Sequence, residues 1–149
     1  MPGNDDIDRR VRWAVYDALS RTGDAPTRAV LDAIVGNASA VAPSLRRLHD
    51  AHALVLDERD EVTMALPFAT RPTDHVVMST DGRRWWANCA WDALAIPLML
   101  DVDAAITSRW LDDGAPAHFE VSNGQVAPSA GLVHFTRPGA IWWDDIVET

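Results

Sequence analysis

Apolar residues recur every fourth position at the start of the chain: Ile7, Val11, Val15 and Leu19, with Ala14 and Ala18 beside them. That period predicts an amphipathic helix over residues 5–22, with Asn4 as its cap and Gly23 as its stop. A short helix over residues 27–35 follows Pro26 and ends at Gly36. A third, over residues 39–52, turns Val41, Leu45 and Leu48 inward. Then the period changes. Leu54-Val55-Leu56 and Val62-Thr63-Met64-Ala65-Leu66 flank the charged stretch Asp57-Glu58-Arg59-Asp60-Glu61, the pattern of a β-hairpin. Three helices and a hairpin predict a winged helix-turn-helix over residues 1–67.

Residues 67–74 carry two prolines and read as a linker. A second unit, residues 75–149, opens with the strand His75-Val76-Val77-Met78 and the turn Thr80-Asp81-Gly82-Arg83. An apolar helix is expected over residues 85–100, with Pro97 kinking it or ending its regular part. Strands are expected over residues 105–111, 117–121 and 131–136, and the start of a helix over residues 142–149. The fold class is α+β: an N-terminal winged helix-turn-helix packed on a small, mostly antiparallel sheet with a Cys-x-x-Asp helix.

Composition narrows the function. The chain has 149 residues, 48% of them hydrophobic, which suits a folded protein. Its longest apolar run, around residues 93–100, is far short of the roughly 20 residues that span a bilayer. The polar, acidic start lacks the pattern of a secretory signal, so the expected location is cytoplasmic. The formal charge of −9 opposes approach to nucleic acid. The third helix carries Arg46 and Arg47 as its only strong cations, and the hairpin turn holds four acids to one base. Scaffolding or covering a substrate site suits these residues better than DNA contact.

Candidate chemistry centres on one spacing. The single cysteine, Cys89, precedes Asp92 by three residues, which places both side chains on one helix face. A lone cysteine is often a small buried hydrophobe. Here, however, the early helical position favours a thiolate. The surrounding Trp85, Trp86 and Trp91 favour a carboxyl that keeps its proton at neutral pH. A thiolate beside a protonated acid can hold a soft electrophile and deliver a proton. The five histidines show no standard ligand spacing. His49 and His52 stand three apart on one helix, and His118 and His134 reach Cys89 only if their strands flank its helix.

The run Asp81-Gly82-Arg83-Arg84-Trp85-Trp86-Ala87-Asn88-Cys89-Ala90-Trp91-Asp92-Ala93-Leu94-Ala95-Ile96-Pro97 resembles the catalytic turn and helix of the alkylmercury lyases (organomercurial lyases). Asp113-Gly114-Ala115-Pro116 and Pro128-Ser129-Ala130-Gly131-Leu132-Val133-His134-Phe135 resemble the family's later turn and strand, and a winged-helix covering domain fits as well. The resemblance implies that Cys89 and Asp92 are the catalytic and metal-binding residues. Cys89 would be the thiolate ligand to mercury, a soft metal. Asp92 would be secondary ligand and donor of the proton that releases R–H and Hg(II). No resident cofactor is implied, and the partner is a small-molecule substrate. The family's second cysteine follows a segment resembling Trp142-Trp143-Asp144-Asp145-Ile146-Val147-Glu148-Thr149, and this sequence reaches Thr149 without one. Asn88 stands where characterised members often have Trp. The resemblance is therefore to a divergent or truncated member. A longer chain, a small thiol co-reactant or a second subunit would complete the site. Alternatively the scaffold serves another reaction, or a non-catalytic binding or transcription-regulatory role.

Overall fold

The computed structural model describes residues 3–128 and 131–146. Helix α1 (Asn4–Thr22) buries Ile7, Val11, Ala14, Val15 and Leu19, the four-residue period that the sequence displays. Gly3, not Asn4, occupies its N-cap position, without a side-chain hydrogen bond. Gly23 ends it at φ 78°, its N–H donating to Leu19 O. A Cβ at Gly23 would lie 2.2 Å from the Arg84 carbonyl oxygen, so only glycine allows this close an approach to the sheet. Helix α2 (Arg28–Val35) is capped by Thr27, whose side chain accepts from the Val30 N–H. Helix α3 (Ala38–Asp50) buries Val41, Leu45 and Leu48.

The strands are β1 (Val55–Leu56), β2 (Val62–Ala65), β3 (Phe68–Ala69), β4 (His75–Ser79), β5 (Arg84–Ala87), β6 (Ala104–Arg109), β7 (Pro116–Ser122) and β8 (Gln125–Ala127). They form one sheet in the order β1-β2-β3-β5-β4-β6-β7-β8, every pair antiparallel. The β1–β2 turn is organised by Asp57, whose Oδ1 accepts from the Arg59 and Glu61 N–H groups.

Four expectations give way here. The stretch read as a linker contains β3, which bonds to β2 on one side and β5 on the other. The long helix expected over residues 85–100 is a strand followed by a shorter helix, α4 (Ala90–Leu100). The Asp81-Gly82 turn closes a β4–β5 hairpin, and the aromatic pair Trp85-Trp86 suits a pleated surface better than a helical turn. Finally, residues 131–136 form no strand; β8 lies earlier, at Gln125–Ala127. Beyond them a 3-10 helix (Gly139–Asp144) replaces the expected helix start. Ser129 and Ala130 of the expected strand block, and residues 147–149 of the final helix, lie outside the described residues.

One apolar core joins helices and sheet, running from Val11, Val15 and Leu19 through Phe68, Val77 and Trp85 to Ile96 and Ile106. Trp85 is fully buried, and its Nε1–H donates to the Leu19 carbonyl at 2.8 Å, pinning the end of α1 to β5. A smaller cluster seats Ile146 against Val55 and Met64, with Trp142 and Trp143 packed around it. No helix among the described residues is long and apolar enough to cross a membrane.

Candidate active site

Cys89 occupies the N-cap position of α4, at φ −141°, rather than the helix interior. Asp92 lies in the first turn. The Cys89 Sγ–H donates to Asp92 Oδ2 at 3.5 Å, so the three-residue spacing does bring the two groups together. The strand before them fixes this position. Ala87, two residues ahead of Cys89, pairs with Phe68 of β3 and with His75 of β4.

The protonation states differ from the sequence expectation. Burial pushes the Cys89 thiol up to about 11, and the charge of Asp92 adds to the effect. The Asp92 and Trp91 backbone N–H groups oppose it. Cys89 is therefore a thiol at neutral pH, not a thiolate. The helix N-terminus contributes only about 0.3–1 kcal/mol, less than burial costs the anion. Burial also raises Asp92, to about 6, against the hydrogen bond from Cys89. The direction is the expected one, but at pH 7 the group is mostly carboxylate. The resting pair is a thiol donating to a carboxylate.

Cys89 opens onto a cavity of about 910 Å³. Asp92 is not among the residues lining it and reaches it through the sulfur. The walls are mainly apolar: Leu94 from α4, Ile106 from β6, Phe119 from β7, and Trp110, Leu132 and Phe135 from the connecting segments. Trp91 meets Phe135 edge-on, with ring centroids 6.2 Å apart, and Phe135 contacts Trp142 at 5.0 Å.

Of the histidines expected near Cys89, His134 lines this cavity. His118 does not; it contacts Thr107 Oγ1 at 3.5 Å on the sheet. His49 and His52 are not a ligand pair. His49 Nδ1 accepts from the Leu56 N–H, while His52 stacks on Trp143 with centroids 4.4 Å apart. No group of three or more His, Cys, Asp or Glu side chains among the described residues is arranged to hold a metal ion.

Sequence reading missed His75 and Ser108, which share the cavity wall with Cys89. His75 Nδ1 lies 2.7 Å from Ser108 Oγ. A signal was present: Ala104, Ile106 and Ser108 alternate along β6, so Ser108 shares the inward face with two apolar residues. Burial lowers the His75 pKa below the usual imidazole value, with Asp74 opposing, so the ring is neutral at pH 7. Asn88 was noted only as a departure from the family pattern. Its Nδ2 donates to the Ile146 carbonyl at 3.2 Å, which brings the end of the described chain beside Cys89.

Comparisons with known proteins agree on one family. The family model for MerB, alkylmercury lyase, matches residues 68–149. An alkylmercury lyase of Pseudomonas putida is 33% identical over 87 residues, covering 56% of this chain and 40% of that protein. The crystal structure of the mercury-bound form of MerB2 aligns with a TM-score of 0.65 at 26% identity, over 82% of this chain and 58% of that one. The chain thus spans about half the length of the relatives it matches.

Proposed function

The chain belongs to the alkylmercury lyase family, and from that premise we propose that it binds an organomercurial at Cys89 and cleaves the carbon–mercury bond with a proton carried by Asp92. The observation that carries this reading is the Sγ–Oδ2 contact at the wall of a large apolar cavity. Soft mercury prefers sulfur, and a buried thiol can ligate it only after losing its proton. Asp92, mostly ionised at pH 7 and already the acceptor of that proton, takes it as the Cys89–mercury bond forms and the mercurial's anionic ligand, a halide or thiolate, leaves. The thiol's own proton then sits on the carboxyl beside the substrate. In the second step Asp92 returns it to the carbon leaving mercury, giving R–H, a mercury ion held by Cys89 and the carboxylate again. Two outside thiols then carry Hg(II) away as its dithiolate, one of their protons returning to the Cys89 sulfur and the other passing to solvent. Apolar walls favour both steps, because they keep competing water from the carbon–mercury bond.

Residues 1–67 are, in this proposal, a winged helix-turn-helix that covers the catalytic unit rather than a DNA reader. Both cations of α3 are already paired: Arg46 with Asp60 at 2.5 Å and Arg47 with Asp8 at 2.6 Å. Neither is free to meet a phosphate without breaking its pair.

The experiment incubates the protein with phenylmercury and excess small thiol and measures benzene and protein-bound mercury. Cys89→Ser is expected to abolish both binding and turnover. Asp92→Asn is expected to load mercury more slowly, having lost the acceptor of the thiol proton, and to retain it once bound, while benzene release falls at least about a hundredfold, the scale of a lost general acid. Unchanged turnover in Cys89→Ser removes the sulfur from the mechanism. Mercury retention with no benzene from the wild-type protein makes the site a binding site instead.

A further inference from the structure

The cavity beside Cys89 is far larger than a methyl group on mercury requires; its volume is that of sites for drug-sized ligands. Its polar features are few, and the His75–Ser108 pair is the one built into the sheet. Antiparallel pairing of β4 with β6 sets Val76 against Thr107, so His75 and Ser108 are neighbours across the ladder.

The imidazole tautomer sets which way this pair runs. Ser108 is 3% exposed, so its hydroxyl proton needs a protein acceptor. Among the described residues the partner within reach of Oγ is His75 Nδ1. With the hydroxyl donating to Nδ1, a neutral imidazole carries its ring proton on Nε2. Nε2–H has no hydrogen-bond acceptor among the described residues, and His75 lines the cavity. A donor without a protein acceptor at the wall of a mainly apolar cavity is a specificity element: it favours a ligand that supplies the missing acceptor.

Charge decides what kind of acceptor. The cation nearest in the wall, Arg109, is paired with Asp74 at 3.0 Å and donates to the Gly114 carbonyl at 3.0 Å. Asp112 lines the same cavity. Two carboxylates against one guanidinium disfavour an anionic ligand.

We propose that His75, oriented by Ser108, selects an organic group with a bulky apolar body and an uncharged hydrogen-bond acceptor such as a carbonyl. This inference rests on the reading of the cavity as the seat of the mercurial's organic group, and it names the class of that group. His75 is here a specificity-determining residue, separate from the Cys89–Asp92 proton transfer.

The test uses mercury-free probes, so that it stays readable if the carbon–mercury chemistry fails. Binding of 2-acetylnaphthalene, 2-ethylnaphthalene and 2-naphthoate to the wild-type protein is measured by calorimetry. The acetyl compound is expected to bind about tenfold more tightly than the ethyl compound, the scale of one satisfied buried donor, and more tightly than the carboxylate. In His75→Phe that preference is expected to fall to within about twofold. Nitrogen NMR of the wild-type imidazole, which does not depend on the variant folding, is expected to show the proton on Nε2. Equal binding of the acetyl and ethyl probes, tightest binding of the carboxylate, or a proton on Nδ1 would each overturn the proposal.

Discussion

The three-helix end of the molecule and the cavity end share one sheet but treat their polar groups in opposite ways. At the helical end, Arg9, Arg46 and Arg47 each face a carboxylate at the surface. Arg47 forks onto Asp8, which also accepts from Ser44, while the interior holds Val11, Val15, Leu19, Val41 and Leu45. At the cavity end, a thiol, a carboxyl, an imidazole and a hydroxyl are partly or wholly buried and paired side chain to side chain. The first arrangement makes a stable block. The second leaves reactive groups with shifted proton affinities facing open volume, where a ligand can complete them. The contrast assigns packing to one end and chemistry to the other.

The sharpest way to break this contrast is the pH dependence of Cys89 reactivity. A surface thiol reaches its plateau of alkylation near pH 9. Cys89, held up to about 11, is expected to keep gaining rate to that pH, about fiftyfold beyond its value at pH 9. A plateau at pH 9 in a stopped-flow alkylation profile would make Cys89 an ordinary exposed thiol. The same shift has a sign for stability. The folded state holds the thiol proton more tightly than the unfolded chain, so this group's contribution falls as pH rises from 9 to about 11. Cys89→Ser is expected to remove that part of the alkaline loss in denaturant titrations.

At the other end, Gly23→Ala tests packing alone. The new Cβ meets the Arg84 carbonyl from a left-handed backbone position, and a loss of about 2–3 kcal/mol in unfolding free energy is expected. Retained stability would mean that α1 and β5 can separate at little cost. The smallest effect belongs to the cluster near the end of the described chain. Ile146→Ala empties a site that is 8% exposed and bounded by Val55 and Met64, and about 1–2 kcal/mol is expected. A larger loss, measured by the same unfolding curves, would make that segment part of the main core.

Much of the helical end is legible in the sequence because periodicity and caps act locally. Ile7 to Leu19, the stop at Gly23 and the inward face of α3 are all set by residues a turn apart. Cys89 and Asp92 meet for the same reason. What escaped reading is non-local. Trp85 and Trp86 belong to a strand because β3 and β4 flank β5, information held forty or fewer positions away but not in the local pattern. His75 joins Ser108 across 33 positions through strand register alone. The proton states were misjudged where two effects compete at one atom. A favourable helix end was visible at Cys89, but the depth of its burial depends on walls contributed by β6, β7 and the segment beyond β8.

The two-residue strand β3 has a mechanical corollary. Phe68 is hydrogen-bonded in register with Ala87, and Ala87 is two peptide units from the sulfur. The hairpin under the helices is thus a splint on the backbone that carries Cys89, and tilting it would drag the thiol along. Change far out in the helices can in this way retune the aim of the sulfur without altering any atom that lines the cavity.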